Sequence, residues 1–243
     1  MDTIIIDGLS FALPLFIIAI GGIYSEKSGI TNLALEGFQG FGAFTGALAA
    51  VLIANALGTD IQNLFYVALL FAMLGGMAFS VIHAVLSIKF KADQVISGVV
   101  INILALALTT FLTTQINSLV FGTASDKFQL GVSQRFTIEG LADIPIIGAI
   151  FTNVYPFEVI IVVIAVFAWY LLYKTRYGMR LRACGENPHS VDTAGVDVAK
   201  IRFSAVLVSG LLSGLGGMCF AYSISANFSS SIYMGYGFLA IAA

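Results

Sequence analysis

Six stretches of the chain contain no Asp, Glu, Lys or Arg: 9–24, 37–57, 61–88, 94–117, 159–173 and 203–223. Most of them approach the roughly 20 residues that carry a helix across a bilayer. Where water is absent, a backbone can satisfy its own polar groups only as a helix or a closed barrel. Runs this long and continuous fit the helix, because barrel strands alternate apolar and polar residues. Of the 243 residues, 59% are apolar and 10% charged, against about 45–50% and 25% in soluble domains. A water-soluble globule is excluded, and so is disorder, which needs low hydrophobicity. The expectation is an all-α, polytopic transmembrane helical bundle with six spans, forming one domain over 1–243.

The few charges orient it. If the chain alternates sides, loops 25–36, 89–93 and 174–202 share one face, and 58–60 and 118–158 the other. The first set holds Lys27, Lys89, Lys91, Lys174, Arg176, Arg180, Arg182, Lys200 and Arg202, and the second only Lys127 and Arg135. Basic loops stay cytoplasmic, so the first set faces inward and the N-terminus outward, as in a multi-pass protein of a bacterial-type plasma membrane. Tyr24, Trp169, Tyr170 and Tyr173 are expected at the inner headgroups, and Tyr66, Tyr155 and Phe157 at the outer ones. Met1-Asp2-Thr3 lacks the basic start of a signal peptide, so the first span is expected to remain. Cys184 and Cys219 fall at different depths and are read as packing residues, not a disulfide.

Small residues recur at helical spacing: Gly42, Gly46 and Ala50; Ala72, Gly76 and Ser80; Gly210 and Gly214; Ser209, Ser213 and Gly217. Such seams let backbones approach where lipid offers no hydrophobic drive. They mean packing and carry no chemistry.

Polar residues inside spans are the sharper signal, since each needs a partner or water. Asn32, Glu36 and Gln39 stand at i, i+4 and i+7, and would share one stripe on a helix. Gly29, Gly37 and Gly40 surround them, so a short or broken helix near 29–40 is expected. Along the fourth span Asn102, Thr109 and Thr113 share a face, with Gln94 and Ser97 at its inner mouth. The threonines are read as bonding back to their own helix. Glu36 has two readings, a path-lining carboxylate or an interfacial one paired with Lys27.

The inner loop 174–200 is unusually structured for a connection. Asn187 suits an N-cap, Pro188 the first helical position and Gly195 the residue beyond the end, with His189 and Asp192 between. That describes a separate helix of about two turns outside the bilayer. Basic residues before it can anchor the loop to lipid headgroups, while a rigid capped element also suits a groove on a soluble partner.

Three separated segments carry a family resemblance: Tyr24-Ser25-Glu26-Lys27-Ser28-Gly29-Ile30-Thr31-Asn32 through Glu36-Gly37; Ala92-Asp93-Gln94 through Ser97-Gly98 to Asn102; and Tyr177-Gly178-Met179-Arg180 through Cys184-Gly185-Glu186-Asn187-Pro188 to Gly195. Together they resemble the membrane permease of ABC importers, nearest the nucleoside and simple-sugar branch and related to the ribose and branched-chain amino acid permeases. The resemblance implies a dimeric pore with a second permease subunit, like or unlike, a cytoplasmic ABC ATPase and an extracytoplasmic substrate-binding protein. It implies that the helix from Asn187 to Ala194 couples to the ATPase through Arg182, Glu186, Asn187, Pro188, His189, Ser190, Thr193, Ala194 and Gly195. It implies that Asn32, Glu36, Gln39, Gln94, Ser97 and Asn102 border the translocation path. Family members carry further spans beyond the point matching Ala243, so the apolar run 233–243 is expected to start another one and the chain to be a fragment.

No phosphate-binding GxxxxGK[ST] loop is present, so no enzyme activity and no cofactor is assigned to this chain, and ATP with Mg²⁺ belongs on the ATPase. His83 and His189 lack Cys or carboxylate neighbours at ligand spacing, which leaves no metal site and no catalytic residue. Nothing suggests nucleic acid. In the outer loop 118–158 the apolar patch 144–151 is expected to lie on the surface as a short amphipathic element. A path lined by amides and hydroxyls suits a neutral hydroxyl-rich solute. The competing readings are an ion-coupled secondary transporter, a branched-chain amino acid permease and a membrane enzyme, the last lacking a polar catalytic cluster.

Overall fold

In a computed structural model, which describes residues 2–131, 135–140 and 147–242, the apolar stretches form helices. These are α1 (Asp2–Lys27), α2 (Leu35–Leu57), α3 (Phe65–Ala84), α4 (Gln94–Phe121), α5 (Pro156–Lys174) and α8 (Val198–Phe220). Extended by adjoining turns where these continue them, the six are long and apolar enough to cross a membrane. The protein is a multi-pass helical membrane protein. Between α5 and α8 lie α6 (Arg176–Glu186) and α7 (Pro188–Thr193), and α9 (Tyr236–Ala242) follows α8.

The centre is a three-helix knot of α2, α3 and α8, made possible by residues without bulk. At Gly42 a Cβ would overlap the Cα of Gly214, and at Gly76 it would overlap the carbonyl of Gly210. Gly214 in turn presses on the Ala72 carbonyl. Backbones this close gain dispersion contacts that side chains would otherwise hold apart. Thr45 on α2 adds a polar tie, its hydroxyl donating to the Phe71 carbonyl of α3 at 3.1 Å. α8 is the most enclosed span, packed by α1 on its remaining side.

Away from the basic loops, two three-residue strands close the opposite end. β1 (Lys127–Gln129) pairs antiparallel with β2 (Asn227–Ser229), setting Phe128 against Phe228. Their rings lie beside Phe44, centroids 6.1 and 5.8 Å away. These strands are 98 positions apart and too short to show a period. The apolar patch of loop 118–158 contributes a 3₁₀ turn, Ile147–Phe151, that packs against α1, while 144–146 lie outside the described residues.

Three expectations are corrected. Tyr24 is fully buried, its hydroxyl donating to the Ala168 carbonyl of α5, and Phe157 and Tyr155 are buried too, their rings stacked on each other. Each finds a protein neighbour before it reaches a headgroup; Trp169, Tyr170, Tyr173 and Tyr66 are exposed. Residues 236–242 form the short apolar helix α9, which packs against α1 and α2. Both cysteines are free and buried, and burial pushes the Cys184 thiol up, which suits a packing role.

Candidate functional site

Two unwound stretches of backbone converge on the first turn of α2. The first is the break between α1 and α2. Asn32 lies in this break and not on the helix, so it does not share a helical stripe with Glu36 and Gln39; the turn after Lys27, with Gly29 at φ +85°, ends α1 before Asn32 is reached. Its amide donates to Ser209 Oγ of α8 at 2.9 Å, and its carbonyl oxygen accepts from the Ala34 N–H.

α4 runs alongside this break and holds it. Gln94 accepts from the Thr31 N–H at 2.7 Å. Eight residues further, about 12 Å along the helix, Asn102 accepts from the Gly37 N–H and donates to the Leu33 carbonyl, both at 2.8 Å. α2 therefore begins well inside the bundle, its opening turn secured by a side chain of another helix. Ser97 bonds to Nδ1 of the buried His83 at 3.0 Å. Thr109 and Thr113 bond back to the carbonyls of Ala105 and Thr109.

Asn102→Leu keeps the volume and removes both bonds. With a backbone donor and acceptor stranded at roughly 1–3 kcal/mol each, the melting temperature in detergent should fall by about 5–15 °C. Differential scanning fluorimetry of the purified chain checks this, and an unchanged melting point would show that water replaces the amide.

The second unwound stretch follows β2. Residues 230–235 pass from the strand pair into the bundle and meet α2 from the other side. Glu36 accepts from the Gly235 N–H at 2.9 Å and the Gly237 N–H at 2.5 Å. Gln39 donates to the Ile232 carbonyl at 3.4 Å. The Tyr233 ring lies on Gly40, where any side chain would overlap it, and its hydroxyl bonds Thr109 Oγ1 at 3.1 Å. The pairing of Glu36 with Lys27 is thus not found; two backbone N–H groups take the carboxylate instead. Past this point α9 reaches back towards the start of the break, its Ala240 and Ile241 sharing a cavity of about 510 Å³ with Glu26 and Asn32.

Of the six residues read as path-bordering, Asn32, Gln94 and Asn102 meet around the α1–α2 break, Glu36 and Gln39 address 232–237, and Ser97 stands behind them against His83. Tyr233, Gly235 and Gly237 were not singled out from the sequence. Their signal, aromatic and glycine residues alternating in Tyr233-Met234-Gly235-Tyr236-Gly237, sits inside an apolar run that reads as the start of a span.

The basic end carries the other candidate surface. α6 was not foreseen: Thr175 caps it, and Leu181 and Cys184 bury its inner face. Arg182 lies on α6 over the Tyr173 ring at 5.1 Å, and Glu186 is its last residue. In α7 the Asn187 side chain accepts from the Ser190 N–H at 3.1 Å, and Gly195 takes φ +79° just beyond the end. Val191 is buried, while His189, Ser190, Asp192, Thr193 and Ala194 are exposed. Beside α7 a groove of about 750 Å³ runs past Pro188, His189, Lys91 and Arg202 to Gln94. Hydrogen bonds led by the Lys200 N–H hold the Asp197 carboxyl below its usual range where it caps α8.

Unwound backbone enclosed in a helical bundle occurs in transporters, and comparison with known proteins gives the family. Residues 4–243 match the family described as branched-chain amino acid transport system / permease component, and the chain belongs to it. It is similar to the guanosine ABC transporter permease protein NupQ of Bacillus subtilis, 41% identical over 97% of this chain and 72% of that protein. It is similar also to the nucleoside ABC transporter permease protein NupC of Lactococcus lactis, 39% identical over 100% of this chain and 74% of that one. A second Bacillus subtilis protein, the guanosine ABC transporter permease protein NupP, is 24% identical over 84% of this chain and 56% of its own length. No solved structure matches the chain.

Proposed function

We propose that this permease subunit is one half of the membrane pore of an ATP-driven importer of nucleosides. The observation that carries the reading is similarity along nearly the whole chain to two nucleoside-transport permeases, at 41% and 39% identity. Side-chain charge agrees with it: Asn32, Gln39, Gln94, Ser97 and Asn102 are neutral amides and hydroxyls without a fixed counter-charge, as the path of a hydroxyl-rich neutral solute requires. These five and Glu36 border the path.

The second permease is an unlike subunit. Two different guanosine permeases from one organism, NupQ and NupP, both resemble this chain. On this chain α4 suits the contact or the path wall, because Gln115 is exposed on a spanning helix, close to the part-exposed Thr110 and Thr114, where lipid would leave the carboxamide unpartnered. α7, with Arg182 and Glu186 of α6 behind it, docks on a cytoplasmic ABC ATPase that holds ATP and Mg²⁺. The nine basic residues at that end set it in the cytoplasm of a bacterial-type plasma membrane, beside anionic lipid, with the N-terminus outside. An extracytoplasmic binding protein delivers solute to the β1–β2 end.

Reconstitution with the second permease, the ATPase and the binding protein tests the reading. Proteoliposomes should accumulate labelled guanosine or uridine only with ATP inside the ATPase compartment. Accumulation driven by an ion gradient without ATP, or of leucine in place of nucleosides, would overturn it.

A further inference from the structure

We propose that residues 230–237 are a movable gate in the translocation path and that Glu36 is the positioning residue that clamps it shut, not a ligand of the solute. The inference rests on the transport reading above and assigns a task to one of its residues.

The clamp is built from both sides. Glu36 engages two backbone N–H groups, those of Gly235 and Gly237, one with each carboxylate oxygen. Gly237 sits so tightly on the Glu36 backbone that a Cβ there would overlap it. Glu36 is 4% exposed, so it offers almost no surface to a passing solute. Tyr233 bears on Gly40, and its hydroxyl reaches Thr109. A carboxylate that accepts two aligned N–H bonds in a dry setting holds its partner more firmly than a neutral side chain would.

What it holds is backbone without regular structure. From Gly235 back to Ser230 the chain has only a 3₁₀ turn at Ser230–Ile232, and irregular backbone at this depth is tolerated where it lines a cavity. The segment also has a free side: Ser231 and Met234 are exposed, Met234 at 59%. It hangs between β2 and α9, and Gly235, at φ +88° with open space around its Cβ position, provides a hinge. Releasing it means breaking the bonds to Glu36 and Gln39 and lifting Tyr233 off Gly40 and Tyr236 off Phe220, while the Gly42, Gly76 and Gly214 contacts of the α2–α3–α8 knot stay closed.

The experiment uses the assembled complex carrying Met234→Cys; Cys184 and Cys219 are buried and serve as quiet background. The labelling rate by a membrane-impermeant maleimide is compared with and without Glu36→Gln, alongside KM and Vmax of uptake. Glu36→Gln replaces one acceptor oxygen by a donor facing an N–H. It should raise the labelling rate about tenfold, the shift expected from losing one bond to a charged acceptor, and lower Vmax while KM stays within about twofold. A raised KM with Vmax and labelling unchanged would make Glu36 a solute ligand and overturn the proposal, as would no change in any readout. If Glu36→Gln fails to reach the membrane, Glu36→Asp, which keeps the charge and shortens the reach, is put through the same comparison and should show the same pattern more weakly. Should the complex import no nucleoside at all, the transport reading falls, while the labelling comparison still decides whether Glu36 holds the segment.

Discussion

Gly214→Val should remove most folded protein from the membrane. The new side chain would have to occupy space held by the Ala72 carbonyl and the Gly76 Cα, so α8 must withdraw from α3 along the seam. Overpacking a close backbone crossing costs about 3 kcal/mol or more, a large part of a typical total stability of 5–15 kcal/mol. A fall in melting temperature of roughly 6–12 °C follows, with loss of monodisperse material on size-exclusion chromatography. Gly8→Val is the matched control, because nothing lies within 4 Å of a Cβ at Gly8. Equal behaviour of the two variants would show that the three-helix knot does not limit stability.

The second large effect is expected at the basic end. Replacing Pro188–Thr193 by a Gly-Ser linker of equal length should abolish ATP-driven uptake in the reconstituted complex. Only Val191 of α7 is buried, so the spans should melt as before. Losing a docking contribution on the order of 3 kcal/mol weakens assembly about a hundredfold, which pull-down with the ATPase measures directly. Full coupling after this replacement would remove α7 from the docking surface.

The spans were legible because a charge-free run of membrane length has almost one physical outcome. The short helix at Asn187 was legible for a different reason: its cap, its proline and its closing glycine are all local signals. Where a residue's meaning depends on a partner far along the chain, the reading stopped. Glu36 gave the spacing of a helical stripe but not its partners, which lie 199 and 201 positions away. Asn102 was read as polar; that it secures the start of α2 follows only from the depth at which α1 breaks. α6 escaped notice because its basic residues and glycines read as an anchoring loop until Leu181 and Cys184 are seen to be covered. The strand pair offers no period in three residues per strand.

The Arg202 guanidinium bonds two carbonyls at once, Ser28 at the start of the α1–α2 break at 3.0 Å and Cys184 near the end of α6 at 3.2 Å. Gly185 lies against Lys27 and Gly29 at the same spot, leaving no slack between them. The basic end is therefore braced like a bell crank: a push on α7 would meet no flexible linker and would turn through α6 and Arg202 onto the unwound backbone that leads, within a few residues, to Asn32 and Glu36.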